Sequence, residues 1–339
     1  MSVTAHPGSR AAIVTTLRNA GNVLGSFIAY HLALGFGRLY LFFDDPADPD
    51  LPRAAAHARV TAIGHDRELR ERWRHLPQYS GQAQFLDREV MARQVLNTEL
   101  AMELARADGF DWLLHIDSDE LFYSPRQSVA EHFDLVEKQR LETVVYLNYE
   151  AAPDRDEIGD FFREVDLFKV PPHLNGRPVT PALVKAVQST PQLHPDFFKF
   201  YATGKSAVRL SAEGMRPAGV HHFVRQNAGW QTGQSAHQFV LHFACCGFEN
   251  FWNKYQTLGA FSDKWWDRYG IAELVGRFHL DARDVVATGD REAARAFYRS
   301  RLAILDERRV SELLAVGALA RFSQPKEILA TQSVSERRG

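Results

Sequence analysis

The feature that most constrains this chain is a rhythm in its first 147 residues: short apolar runs, each followed by a helical pattern. Ala11-Ala-Ile-Val-Thr-Thr-Leu17 reads as a buried strand and Gly21 to Leu34 as a helix. Arg38-Leu-Tyr-Leu-Phe-Phe43 reads as a second strand, stopped by Asp44-Asp45-Pro46 because proline cannot continue a ladder. Arg59 to Ile63 gives a third strand and Asp66 to His75 a helix. Leu86 to Ala107 gives a long helix, with Met91, Val95 and Met102 on one side and Leu96, Leu100 and Leu104 beside them. Asp111 to Ile116 and Thr143 to Leu147 are further strands. Strands that alternate with helices build right-handed βαβ units around a mostly parallel sheet.

Other classes fall away quickly. Val23 to Phe43 is apolar enough to be weighed as a membrane span, but Ser26, His31 and Arg38 lie inside it and Gly35-Phe36-Gly37 breaks it. The first ten residues lack the apolar core of a signal peptide. The expected location is therefore cytoplasmic, with peripheral association at a membrane left open. Forty basic against 42 acidic side chains leave no positive excess to drive nucleic-acid binding. Cys245 and Cys246 are adjacent, which suits neither a disulfide nor a C-x-x-C zinc site.

After residue 150 the texture changes. Residues 171–195 hold six of the 15 prolines and read as extended loop. Strands return at Ser206 to Leu210, Gly219 to Phe223 and Gln238 to Phe243. A helical pattern then runs from Phe248 to about Phe322, and Ser333 to Gly339 reads as disordered.

The sharpest chemical signal is Trp112-Leu-Leu-His-Ile-Asp117-Ser118-Asp119-Glu120. In open α/β sheets ligands bind outside the carboxyl ends of the strands, and here a buried strand delivers two carboxylates to such an end. In an extended segment residues i and i+2 point the same way, so Asp117 and Asp119 can share one Mg²⁺ or Mn²⁺ that keeps positions open for a diphosphate. The plain alternative is a strand followed by a solvated acidic turn. Phosphatases of the haloacid-dehalogenase type also carry D-x-D after a strand, with one Asp as nucleophile. Their motif opens the domain and continues with Thr or Val, whereas 116 residues come first here and Leu121 stands at the hydroxyl position.

Several segments together resemble glycosyltransferases of the GT-A fold, especially families 2 and 92. Thr15-Thr-Leu-Arg-Asn-Ala-Gly to Tyr30-His-Leu-Ala-Leu-Gly35 resembles their opening strand, turn and helix, with Ala20 where those families carry Glu. Leu39-Tyr-Leu-Phe-Phe-Asp44-Asp45 resembles their second strand, Met91-Ala-Arg-Gln94 their A-R-N segment, and His115-Ile-Asp-Ser-Asp-Glu-Leu-Phe122 their D-x-D strand. Leu241 to Lys254 resembles a run late in family 92-like domains. The resemblance implies an α/β GT-A fold, a Rossmann-like nucleotide-diphospho-sugar transferase with a mostly parallel central sheet, helices on both faces and a helical C-terminal part. It implies a nucleotide-sugar-binding half over 11–150, an acceptor-binding half over 151–270 and a helical extension over 271–330.

The implied activity is metal-dependent, inverting transfer of a sugar from a UDP- or GDP-sugar to a hydroxyl of a carbohydrate or glycan acceptor. Asp117 and Asp119, with His242 as third ligand, are the implied holders of Mn²⁺ or Mg²⁺. Thr16, Arg18, Asp44, Asp45, Arg93, Asp117 and Lys205 are the implied donor contacts. A carboxylate can pair strongly with the imide N–H of uracil, which gives Asp44 or Asp45 its role, while Arg18 and Arg93 can neutralise diphosphate. Glu249 and Asp196 are candidate bases for the acceptor hydroxyl, and Glu150 is a third. Two other readings stay open: the phosphatase with Asp117 as nucleophile, and a non-catalytic carbohydrate-binding protein of the same fold.

Gly204-Lys205-Ser206 is not a P-loop, since Lys199 stands where its first glycine belongs. Seven aromatic residues between Phe251 and Tyr269 could form a platform for sugar faces, but their helical spacing favours core packing.

Overall fold

All seven residues of the strand Ala11–Leu17 are buried, as are five of the six in Arg38–Phe43. Burial on both faces without alternation marks strands in the middle of a helix-covered parallel sheet. The computed structural model describes residues 10–170, 181, 197–198, 203–226, 228–259, 264–265, 269–270 and 278–336. It divides into two compact units, residues 1–147 with 203–240 and residues 148–202 with 241–339.

In chain order the first unit contributes β1 (Ala11–Leu17), α1 (Leu24–Leu34), β2 (Arg38–Phe43), α2 (Leu51–Ala55), β3 (Val60–Gly64), α3 (Arg67–Trp73), α4 (Tyr79–Gln82) and α5 (Val90–Ala107). It continues with β4 (Trp112–His115), β5 (Glu120–Tyr123), α6 (Val129–Lys138) and β6 (Thr143–Tyr146). The second unit begins with β7 (Asn148–Ala151), α7 (Phe161–Glu164) and β8 (Leu167–Lys169). The chain then returns to the first unit for β9 (Lys205–Arg209), β10 (Met215–Ala218), β11 (His222–Arg225) and β12 (Thr232–Gln234), and crosses back within β13 (Phe239–His242).

The main sheet has the order β12-β6-β9-β4-β1-β2-β3. Strands β4, β1, β2 and β3 run parallel, β12 is parallel to β6, and β9 alone is antiparallel to both of its neighbours. One face packs on α3 and α5 through Ala12, Val14, Tyr40, Phe42 and Leu113 against Trp73, Leu96 and Leu100. On α6, Phe133 stacks on Trp112 with ring centroids 5.0 Å apart. The chain is thus a mixed α/β protein with a large, mostly parallel sheet. The strand order reverses at β1, with β2 on one side and β4 on the other, so the crevice such sheets offer to ligands lies at the carboxyl ends of β1 and β4.

The segment weighed as a membrane span is α1, a turn at Gly35 (φ 113°) and β2; among the described residues no helix is long and apolar enough to cross a membrane. The long helix starts at Val90, four residues later than its apolar pattern predicts, because Glu89 is extended. Helix α6 has a capping box in which Ser128 and Glu131 bond each other's backbone N–H, a readable start signal that periodicity alone passes over.

In the second unit β16 (Leu319–Arg321), β8 and β7 form an antiparallel series. Its helices are α8 (Phe248–Leu258), α9 (Phe278–Ala287), α10 (Arg291–Arg301), α11 (Glu307–Ala315) and α12 (Gln324–Glu336), with the short pair β14 (Lys264–Trp265) and β15 (Tyr269–Gly270) between α8 and α9. Phe251, Trp252 and Tyr255 of α8 are buried against Ala282, Val286, Ala294 and Tyr298. These three of the clustered aromatics are therefore core. Helix α12 continues into the tail that composition reads as disordered. The proline-rich stretch apart from residue 181, and Asp196 with it, lies outside the described residues.

Candidate active site at the carboxyl ends of the sheet

Strand β1 ends at Leu17, and the backbone then turns through Asn19 and Gly21, both at positive φ (52° and 61°). Two buried carboxylates hold this turn. Asp48 Oδ2 accepts the Asn19 N–H at 2.7 Å, and Asp50 Oδ2 accepts that of Gly21 at 2.7 Å. Arg18 projects from the same turn with its side chain 48% exposed, its guanidinium 4.0 Å from Asp45. Thr16 is buried inside the sheet end, where its Oγ1 accepts from Asn97 Nδ2 at 2.9 Å.

Strand β2 delivers Asp44 and Asp45. Asp44 is buried and takes both forks of Arg93, Nε to Oδ1 at 2.5 Å and Nη2 to Oδ2 at 2.7 Å; Asp45 is more exposed. The next residue of α5, Gln94, donates from Nε2 to Asp117 Oδ1 at 2.7 Å. Consecutive residues of one helix therefore tie the end of β2 to the end of β4. Gln94 is the last residue of the Met91-Ala-Arg-Gln94 segment that resembles the families' A-R-N run, where sequence reasoning assigned a role to Arg93 alone.

The acidic motif is a turn. Strand β4 ends at His115, and the Glu120 N–H donates to Asp117 O at 3.1 Å. The alternation assumed for an extended Asp117–Asp119 segment therefore stops at Ser118. Glu120 is wholly buried, with Oε2 accepting the Asp117 N–H at 2.8 Å. This carboxylate begins β5, and sequence reasoning gave it no role.

Lys205 reaches the motif by topology. The antiparallel register pairs Leu114 with Ala207, so the first residue of β9 comes level with Ile116, next to Asp117. Its Nζ lies 2.6 Å from Asp117 Oδ2, 3.7 Å from Glu120 Oε2 and 3.3 Å from the Val220 carbonyl oxygen, and its side chain is 0% exposed. Gly204 precedes it at φ 69°, and a Cβ there would sit 1.9 Å from Tyr146 O. That close approach accounts for the glycine of Gly-Lys-Ser without any phosphate loop. Burial opposes charge on Asp117, but the Lys205 ammonium outweighs it and holds the carboxyl below its ordinary range. Burial, with Lys205 adding to it, pushes His115 down to about 3 and His221 down to about 4, so both imidazoles are neutral.

The remaining expected residues belong to the second unit. His242 Nδ1 is 2.6 Å from Glu150 Oε2, and both side chains are buried. Burial raises the Glu150 carboxyl, but His242, with Lys169 and Lys254 adding to it, holds it below its ordinary range. Glu249 opens α8 with its side chain 62% exposed, ion-paired to Arg291 of α10.

Among the described residues no three His, Cys, Asp or Glu gather in a group that could hold a metal ion. Each oxygen of Asp117 already accepts one donor, Gln94 on Oδ1 and Lys205 on Oδ2, so a cation there would share the carboxylate with them. A cation held through Asp119 and by the oxygens of a diphosphate does fit, since Mg²⁺ is commonly bound through one or two carboxylates plus substrate phosphates.

No family model matches the chain. Two glycosyltransferase-like proteins of Arabidopsis thaliana are similar to it, one 27% identical over 335 residues and the other 25% over 333, each match covering 93% of this chain. The chain spans 71% of the length of the first and 62% of the second. Among solved structures, S. aureus TarS is similar at 8% identity with a TM-score of 0.32, over 74% of this chain and 39% of that one.

Proposed function

We propose that the chain is a glycosyltransferase that binds a nucleoside-diphosphate sugar at the carboxyl ends of β1, β2 and β4 and transfers its sugar to a hydroxyl of a carbohydrate acceptor. The observation that carries the reading is the pairing of consecutive α5 residues, Arg93 on Asp44 and Gln94 on Asp117. It draws the ends of β2 and β4 into one frame beside the crevice where open α/β sheets take nucleotides. Similarity to glycosyltransferase-like proteins along almost the whole chain points the same way.

Within this reading Asp45, the more exposed of the two carboxylates, faces the base and Arg18 the diphosphate, while Arg93 holds both oxygens of Asp44, which shapes that strand end and not the base contact. Asp119 would hold a divalent cation, which supplies neutralisation of the charge that develops on the departing nucleoside diphosphate. His242 keeps a ligand role on one ground: a metal-bound imidazole commonly has its other nitrogen on a carboxylate, as Glu150 does for Nδ1. If the transfer inverts, the acceptor proton passes to a carboxylate; Glu249, which is solvent-exposed although paired to Arg291, or Asp196 is given that role, and Glu150 is set aside because it is buried on His242. The phosphatase reading is the weaker one. It needs an Asp117 oxygen aimed at substrate, and both oxygens have donors within 2.7 Å.

A thermal-shift screen of UDP and GDP, with and without Mn²⁺, tests the reading, because a ligand that binds only the native state raises its melting point. Stabilisation by one nucleotide with metal is expected, and Asp119→Asn is expected to remove the metal-dependent part while the fold persists. Turnover undiminished by a chelator would remove the metal role. A phosphoenzyme at Asp117 without nucleotide affinity would move the chain to the phosphatase class, and sugar binding without nucleotide affinity to the non-catalytic one.

A further inference from the structure

Three residues of α5 hold the ends of three strands. Arg93 binds Asp44 after β2, Gln94 binds Asp117 after β4, and Asn97, one helical turn on from Arg93, binds Thr16 in β1. Asn97 is itself held from behind: its Oδ1 accepts from Trp73 Nε1 of α3 at 3.1 Å, while its Nδ2 donates to Thr16 Oγ1 at 2.9 Å. All three side chains are buried. Chemistry forces the order of donors along this row. An indole N–H can only donate, so the amide oxygen of Asn97 must face it and the amide N–H groups must face Thr16. The Thr16 oxygen is therefore an acceptor toward Asn97, and its own hydrogen belongs to a different partner. Among the described residues Asn97 is the one hydrogen-bond partner of that hydroxyl. Thr15 gives the contrast, since its hydroxyl hydrogen goes to the Ile116 carbonyl oxygen at 2.9 Å, inside the fold.

We propose that Asn97 is a positioning residue which, oriented by Trp73, fixes the Thr16 hydroxyl as a hydrogen-bond donor toward the nucleotide, so that the group it meets is an acceptor oxygen of the nucleoside diphosphate. The inference rests on the donor reading above and concerns how that same site selects its ligand. Thr16 is the last residue but one of β1, the strand at which the sheet order reverses, and so lies at the mouth of the crevice. A free hydroxyl rotates to suit its surroundings. Here the rotamer that turns the hydrogen inward sets it against the Asn97 N–H groups, and the outward one remains. The donor is thus aimed before the ligand arrives, which lowers the ordering cost of binding.

Asn97→Asp tests the polarity directly. A carboxylate has no N–H, so it accepts from Trp73 and from Thr16 alike and turns the Thr16 hydrogen inward, with both internal hydrogen bonds kept. Calorimetric titration of the full chain with UDP and with GDP, each with MnCl₂ at about pH 8 to keep the new carboxyl ionised, compares wild type, Thr16→Val, Asn97→Asp and the double variant. Each single variant is expected to bind the nucleotide about ten-fold more weakly, the effect of one lost hydrogen bond. The double variant is expected to match Thr16→Val to within about two-fold, because no hydroxyl is left for Asn97 to act through. A general structural fault, or repulsion between the new carboxylate and the diphosphate, would weaken binding whether or not the hydroxyl is present. If Asn97→Asp does not fold, Trp73→Phe, which lets the amide turn over, takes its place in the cycle. Competition by uridine or guanosine locates the acceptor oxygen: a Thr16→Val loss shared by the nucleoside puts it on base or ribose, a loss confined to the diphosphate puts it on phosphate, and either supports the inference. Wild-type affinity in Thr16→Val, or an Asn97→Asp loss that persists in full in the double variant, overturns the inference and leaves the donor reading standing. Absence of UDP and GDP binding by wild type overturns the donor reading and the inference with it.

Discussion

Arg93 grips Asp44 through two nitrogens, at 2.5 and 2.7 Å, with the two side chains 12% and 8% exposed. Asp45, one residue on, is 37% exposed and lies 4.0 Å from the exposed guanidinium of Arg18. Adjacent carboxylates of equal chemistry should therefore answer differently to replacement. Asp44→Ala takes the carboxylate from a guanidinium that is 12% exposed and leaves it only the Leu86 carbonyl, and should cost about 3 kcal/mol of stability. Asp45→Ala loses the hydrogen bond that the Ala47 N–H donates to Oδ1 and should cost about 1 kcal/mol, yet weaken nucleotide binding. Urea unfolding and nucleotide titration of both variants check this, and equal stability losses would refute it. Lys at position 93 should not restore the pair, since it lacks the planar fork.

Gly204 is required by the distance of 1.9 Å that would separate its Cβ from Tyr146 O, and by φ of 69°. Gly204→Ala combines overpacking against backbone with a left-handed conformation, an expected cost of about 3–5 kcal/mol. Because the next residue is Lys205, the variant should also move the ammonium off Asp117 if it folds. Chemical denaturation gives the first quantity; wild-type stability in this variant would contradict the geometry.

Much of the sheet was legible because buried parallel strands are continuous apolar runs, and Ala11–Leu17 and Arg38–Phe43 are such runs. The acidic strand end was legible for the same reason. What periodicity could not supply was the neighbour. Lys205 is 88 residues from Asp117 in sequence and arrives through an antiparallel strand inserted into a parallel sheet. A lone lysine after a glycine carries no sign of that insertion, so it reads as a phosphate contact or a solvated side chain. Asp48 and Asp50 were passed over because carboxylates beside prolines look like turn residues, which they also are.

Asp48 accepts two backbone hydrogens, from Asn19 on Oδ2 at 2.7 Å and from Asp50 on Oδ1 at 2.9 Å. Asparagine can satisfy one and must point its own N–H groups at the other. Asp48→Asn should therefore cost about 1–3 kcal/mol and loosen the turn that carries Arg18. A raised donor KM with kcat nearly unchanged is the kinetic outcome expected, because the turn positions a binding group and not the reacting atoms. An unchanged KM would place the turn outside the donor site.

Acid should weaken the fold before any carboxylate is lost. Burial pushes His31 down to about 3 and His132 down to about 4. His31 is held at both nitrogens, Nδ1 on Phe27 O at 2.9 Å and Nε2 accepting the Phe122 N–H at 3.2 Å, and a proton on Nε2 would abolish the second bond. His132 Nε2 meets the Tyr146 hydroxyl at 2.8 Å. Both rings are neutral in the native state, whereas an unfolded histidine takes its proton near pH 6.5. The unfolded chain thus binds more protons below that value. The stability these rings contribute is complete above about pH 6.5 and is lost as pH falls toward their native values. The slope rises toward about 1.4 kcal/mol per pH unit for each ring below pH 6.5, so two rings remove about 3 kcal/mol between pH 6.5 and 5. Carboxylates with lowered values act near and below pH 4, which leaves this window to the imidazoles. Denaturant midpoints measured across it should fall steeply in wild type and less steeply in His132→Gln; a flat profile between pH 7 and 5 would mean that these rings are not buried neutral.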